Sequence, residues 1–133
     1  MADAKIAFDL VSPERLLLSE DAEMVTIPGM EGEMGVMAGH MPLITALRPG
    51  TVDVKGGTQG HDRFFVTAGF AEVTPAKITV LAEEAIPLAT LTAQELDQRI
   101  IDAQEDISLA KSDAEMTRAV AALDHLKRMR SAL

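Results

Sequence analysis

Hydrophobic side chains recur at every second residue from Lys5 to about Pro87, and beyond Pro87 they recur at intervals of three and four. Successive side chains of a strand point to opposite faces, whereas residues on one helix face lie three or four apart. The change of period therefore divides the chain into a β half and an α half. In the first half Ile6, Phe8 and Leu10 alternate with Ala7 and Asp9, and Ser12-Pro13 breaks the run. Strands are expected at Arg15 to Ser19 and Glu23 to Ile27, divided by Glu20-Asp21, with Pro28-Gly29 ending the third strand. Others follow at Glu33 to Met37, Leu43 to Leu47 and Thr51 to Lys55, with turn residues at Pro49-Gly50 and Gly56-Gly57. Arg63 to Val73 reads as one long strand interrupted by a bulge or bend at Gly69, and Thr74 to Lys77 turns it into Ile78 to Glu84. Many short strands with regular turns predict a β-sandwich or flattened barrel.

The α half carries two helix starts. Thr92 with Glu95 three residues on forms a capping box, Leu91 can staple to Leu96, and Leu96, Ile100, Ala103 and Ile107 share one face. The same start recurs at Ser112 and Glu115, followed by the apolar stripe Met116, Val120 and Leu123. The fold class is thus α+β: a sandwich over residues 1–87, then an antiparallel two-helix hairpin over residues 88–133. The hairpin stripe is thin and rich in alanine. Burial of a few aliphatic side chains at roughly 1.5–3 kcal/mol each is largely offset by backbone ordering, so the hairpin is expected to lean on the sandwich, a partner, or each in turn.

Charge excludes several functions. With 12 basic and 21 acidic residues the net charge is -9, which repels nucleic acid and anionic membrane. Only the last helix is basic: residues 112–133 hold four cations, Arg118, Lys127, Arg128 and Arg130, against three acids. There is no cysteine, no Trp and no Tyr, which removes thiolate chemistry and most aromatic platforms for bases and sugars. Neither a signal peptide nor a membrane-spanning run is expected.

The segment Pro28 to Leu43, PGMEGEMGVMAGHMPL, stands apart. Gly29, Gly32, Gly35 and Gly39 permit positive φ and close backbone approach, while Met30, Met34, Val36, Met37 and Met41 supply apolar surface that a solvated linker has no use for. Its glycine spacing matches no phosphate loop, and Glu31 and Glu33 would repel a phosphate. The same two acids would act as acid and base only if they flanked a substrate cleft, and acids in such a segment more often lie on a solvated face. His40, His61 and His125 are scattered over three elements without metal-ligand spacing, His61 beside Gly60 being expected in an exposed turn, and no serine sits in a nucleophile elbow. No autonomous catalysis and no metal are expected.

The runs VSPE (Val11 to Glu14), VTIPGMEGEMGVMAGHMPLITALRPGTV (Val25 to Val52), FFVTAGFAEV (Phe64 to Val73) and ITVLAEEA (Ile78 to Ala85) closely resemble the epsilon subunits of bacterial F-type ATP synthases, counterparts of the mitochondrial delta subunit. Ala68 stands where the family usually has glycine. The resemblance implies a non-catalytic rotor subunit on the central stalk, with the gamma subunit and c-subunit ring as partners, on the cytoplasmic face of the bacterial inner membrane and without membrane insertion. It also implies c-ring or gamma contacts at Glu31, Glu33 and His40, to which Met37 and Met41 add apolar surface.

For the helices, the resemblance implies docking of the basic residues Arg118, Lys127, Arg128 and Arg130 onto the alpha and beta subunits of the catalytic head, with inhibition of ATP hydrolysis. Some relatives hold ATP on the folded hairpin. Here only Asp97, Arg99 and Arg118 stand near such positions, and Ile100 occupies the expected arginine site, so no nucleotide and no other cofactor is expected. The alternative from another class is a free-standing sandwich adaptor that dimerises through its hairpin.

Overall fold

The computed structural model describes residues 4–58 and 63–131; His61 therefore lies outside the described residues. Among the described residues ten strands precede two helices: β1 (Ile6–Val11), β2 (Leu16–Ala22), β3 (Met24–Gly29), β4 (Gly32–Val36), β5 (Leu43–Leu47), β6 (Gly50–Lys55), β7 (Arg63–Val66), β8 (Gly69–Val73), β9 (Lys77–Ala82) and β10 (Ala85–Pro87). A 3-10 turn, Leu88–Thr90, leads to α1 (Ala93–Leu109) and α2 (Asp113–Ser131). The chain forms two compact units, Met1–Leu88 and Ala89–Leu133.

Strand pairing within the first unit is continuous, yet it resolves into two layers. One runs β10-β7-β6-β3 with β4 on β3, and the other runs β5-β8-β9-β1-β2. Among the described residues a single bridge, Gly29 with Leu47, joins them. Pairing is antiparallel except between β1 and β9, which run parallel. Ile6, Phe8 and Leu10 point inward beside Val25, Ile27, Val52, Val73, Ile78 and Val80, all essentially inaccessible to solvent. The period-two signal is thus the alternation between this core and the outer faces.

Two strand expectations are corrected. Glu20-Asp21 does not divide strands but lies within β2, where Glu20 opposes Phe8 and Asp21 opposes Ala7 across the ladder. Their acidity reads locally as a turn; the ladder to β1 overrides it, and the chain bends only at Glu23. Arg63 to Val73 is not one strand with a kink. It is two strands in different layers, β7 pairing with β6 and β10, and β8 with β5 and β9. The chain changes layer at Thr67-Ala68 and changes back at Glu83-Glu84. These two corners hold each other, since the Thr67 N–H donates to the Glu84 carbonyl (3.2 Å) and the Glu83 N–H to the Ala68 carbonyl (2.8 Å).

Gly69 is what permits this corner. Its φ is +146°, and a Cβ there would lie 1.9 Å from the Leu81 carbonyl oxygen. No side chain fits, and no L-residue adopts the backbone angle cheaply.

The second unit is an αα-hairpin closed by the short connection Ala110 to Ser112. Thr92 caps α1, its hydroxyl oxygen accepting from the Glu95 N–H at 3.1 Å. Ser112 caps α2 in the same way, accepting from the Glu115 N–H at 3.1 Å. The Glu115 carboxylate reaches one residue further back than an ordinary capping box, to the Lys111 N–H at 2.9 Å. Leu96, Ala103, Ala119 and Leu126 are the buried residues of the two helices.

Candidate functional site

The glycine-punctuated segment forms the β3–β4 hairpin and the loop after it. Met30 and Glu31 are its two-residue tip, and β4 returns with Glu33 opposite Pro28 and Met34 opposite Ile27. Of the four glycines, Gly32 and Gly39 take positive φ (+134° and +87°), whereas Gly29 and Gly35 do not. Alternation along β4 turns Met34 toward the core and leaves Glu33 exposed. Arg48 fastens the base of the hairpin: its backbone N–H donates to the Pro28 carbonyl at 2.9 Å and its Nε–H to the Gly29 carbonyl at 3.0 Å.

An open groove of about 480 Å³ lies between the hairpin tip and β5, walled by Met30, Glu31, Glu33 and Met34 on one side and Leu43, Ile44 and Thr45 on the other. Ile44 is 70% exposed there. The groove thus combines two carboxylates with uncovered aliphatic and thioether surface, an arrangement suited to a partner bearing cationic or polar groups beside apolar ones.

His40, Met37 and Met41 sit on the neighbouring loop and do not line the groove. The loop is ordered by its own bonds. The Gly39 N–H donates to the Pro75 carbonyl (2.7 Å) and the His40 N–H to the Met37 carbonyl (3.1 Å). His40 Nδ1 lies 2.8 Å from the Met41 carbonyl, which only accepts, so Nδ1 carries the proton and Nε2 is the acceptor in the neutral ring. His40 therefore shapes its own turn, whatever else it touches. Met37 and Met41 are exposed, Met41 by 78%.

A second surface escaped the sequence reading. On the outer face of the β5-β8-β9-β1-β2 layer, Phe70 opposes Ala46 and Leu81, Leu81 opposes Val11, and Val11 opposes Leu16. Phe70 is 57% exposed, and Leu81 and Leu16 are also exposed, so an apolar row crosses the sheet. The available signal was the phase of FFVTAGFAEV: once the chain changes layer at Ala68, Phe70 falls on the outward parity. In the adjacent row Asp9 accepts from Ser19 Oγ (2.8 Å) and pairs with Lys77 Nζ (2.8 Å). The Lys77 hydrogen bond, against the opposing pull of burial and with help from Ser19 and the Lys77 charge, holds the Asp9 carboxyl below its ordinary value.

In the hairpin the cations of α2 do not form one patch. Arg118 and Lys127 stand about 180° apart around the helix, while Lys127 and Arg130 are about 60° apart. Arg118, Lys127 and Arg128 are exposed. Arg130 is engaged: its Nε donates to Asp97 Oδ1 at 2.7 Å, across 33 residues of sequence. Of the residues near nucleotide-site positions, Asp97 and Arg118 are held apart. Asp97 is taken by Arg130, and Arg118 lies 12 positions before Arg130 on α2, about 18 Å along the axis. Among the described residues no cluster of three or more His, Cys, Asp or Glu could hold a metal.

Known proteins share this architecture. Residues 5–88 match the family model for the ATP synthase delta/epsilon chain β-sandwich domain. The chain is 53% identical over 126 residues to the ATP synthase epsilon chain of Parvibaculum lavamentivorans, covering 95% of this chain and 96% of that one. It is 45% identical over 133 residues to the epsilon chain of Mesorhizobium japonicum, covering 100% and 98%. Among solved structures, a chain of the Euglena gracilis mitochondrial ATP synthase, in an assembly of OSCP, F1 and c-ring, superposes with a TM-score of 0.73 at 27% identity, covering 97% of this chain and 81% of that one. A chain of the Tetrahymena thermophila mitochondrial central stalk and c-ring shares the fold at 14% identity, with a TM-score of 0.71 and coverage of 99% and 98%.

Proposed function

The chain belongs to the ATP synthase delta/epsilon family, and from that premise we propose that its sandwich works as a two-sided coupling in the rotor of an F-type ATP synthase. It is a non-catalytic central-stalk subunit, joined to the gamma subunit and the c ring and facing the alpha and beta subunits of the catalytic head. The observation that carries the reading is the hairpin-edge groove, where Glu31 and Glu33 flank exposed Met30 and Ile44 on a backbone pinned by Arg48. The polar loops of the c ring suit this acidic, glycine-shaped edge, with Met37, Met41 and His40 extending it. The apolar row through Phe70, Leu81 and Leu16 suits the gamma subunit, whose contact must survive torque and so gains from buried area rather than screened charge. No helix among the described residues is long and apolar enough to cross a membrane. The chain is held peripherally by its partners, at the cytoplasmic face of the bacterial inner membrane.

In this reading the basic residues Arg118, Lys127, Arg128 and Arg130 dock on the catalytic head and restrain ATP hydrolysis, and no nucleotide is bound by the hairpin. The sandwich reading is tested by binding to detergent-solubilised c ring: the double variant Glu33→Lys, Ile44→Asp should bind at least about tenfold more weakly with its unfolding temperature unchanged. Undiminished binding would remove the groove from the interface. Phe70→Asp should instead weaken association with gamma. Deleting residues 88–133 should raise hydrolysis by the assembled complex, and tight ATP uptake by the isolated chain in calorimetry would overturn the nucleotide assignment.

A further inference from the structure

We propose that Asp97 is an internal competitor for Arg130, occupying with its own carboxylate the cation that a carboxylate of the catalytic head would otherwise engage. The inference rests on the reading that the basic end of α2 docks on the head. Three observations support it. Arg130 belongs to the one basic segment of an acidic chain, so a carboxylate is the partner its chemistry selects. It is also held differently from its neighbours: among the described residues Arg118, Lys127 and Arg128 stand exposed, whereas the Arg130 Nε is 2.7 Å from Asp97 Oδ1. The pair is accessible, with side chains 40% and 55% exposed, so an incoming carboxylate can replace Asp97 without opening a core.

The placement favours reversible exchange. Asp97 lies in the second turn of α1 and Arg130 in the last turn of α2, where the cation complements the helix dipole. Antiparallel packing of the helices then brings the two together at the open end of the hairpin. An exposed pair of this kind is worth at most about fivefold in an equilibrium constant. It therefore masks Arg130 without locking it, and Lys127, about 60° away around the helix, remains available to make first contact.

A purely structural clamp and a competitor predict different signs. If the pair merely closed the hairpin, Asp97→Asn and Arg130→Gln would loosen it alike and shift inhibition in the same direction. A competitor makes them opposite. In the assembled complex, Asp97→Asn should lower residual ATP hydrolysis by about two- to fivefold, Arg130→Gln should raise it, and the double variant should match Arg130→Gln alone, since Asp97 acts only through Arg130. Circular dichroism of each isolated variant should show unchanged helix content. Same-direction effects, an unchanged Asp97→Asn complex, or a double variant that keeps the Asp97→Asn effect would each overturn the proposal. Deleting residues 88–133 separates the two levels. If the deletion leaves hydrolysis unchanged, head docking fails and the competitor with it; if it raises hydrolysis while Asp97→Asn is silent, docking stands and only the competitor falls.

Discussion

The sandwich and the hairpin are built from opposite resources. The sandwich buries whole ranks of large side chains, Phe8, Ile6, Leu10, Ile27 and Ile78 among them, and closes its corner with a glycine nothing else can replace. The hairpin buries two leucines and two alanines in its helices and is held otherwise by two caps and an exposed ion pair. A rotor coupling must transmit torque without yielding, and a dense core is what resists deformation. An element that changes partners needs contacts of nearly balanced strength. The sandwich is thus built for stiffness, and the hairpin has the thin packing that the switching proposed for it would require.

That comparison breaks most readily at the corner. Gly69→Val should destabilise the sandwich by about 3 kcal/mol or more, through both backbone strain and overpacking against Leu81; a variant with an unshifted thermal transition would show that the corner is not rigid. Phe8→Ala should cost about 3–5 kcal/mol as a buried aromatic lost from a packed core. Its counterpart Leu126→Ala should reduce helical ellipticity and leave the sandwich transition in place, and a matched fall in both would mean the units unfold as one. Ser112→Ala should cost about 1 kcal/mol through the lost N-cap, read as faster amide exchange in the first turn of α2.

The smallest effect concerns the outer face. Asp9 titrates below its ordinary value of 3.8 in the folded chain, so its contribution is present above that value and is lost as pH falls through the lowered one. Asp9→Asn should therefore cost about 0.5–1 kcal/mol near neutral pH. The difference from the unsubstituted chain should vanish in denaturation curves taken well below pH 4, and a gap that persists there would mean packing, not charge, is what Asp9 supplies.

Much of this was legible in the residues. The helix starts at Thr92 and Ser112 lie where the capping pattern puts them, because a cap is a contact between residues three apart. Most strands of the first unit follow their period-two runs, and the segment Pro28 to Leu43 was recognisable as ordered by glycines and methionines that a linker would not carry. Glu20-Asp21 misled because acidity marks a turn only when no neighbouring strand claims the backbone. His40 stood out in the sequence as a candidate contact, but its bond to the Met41 carbonyl was not visible there. Ile44, Phe70 and Leu81 escaped because an apolar residue in an apolar strand reads as core whichever way it faces.

The sequence by itself determined the α+β class, the helix caps and the family, since each rests on spacing between near neighbours or on a run of consecutive residues. Tertiary structure alone decided the change of layer at Thr67-Ala68, the outward facing of Phe70 and the pairing of Arg130 with Asp97. The reason is the same in all three cases. A periodic run states which side chains share a face, but which strand or helix meets that face depends on contacts between residues tens of positions apart, and only the folded chain brings those together.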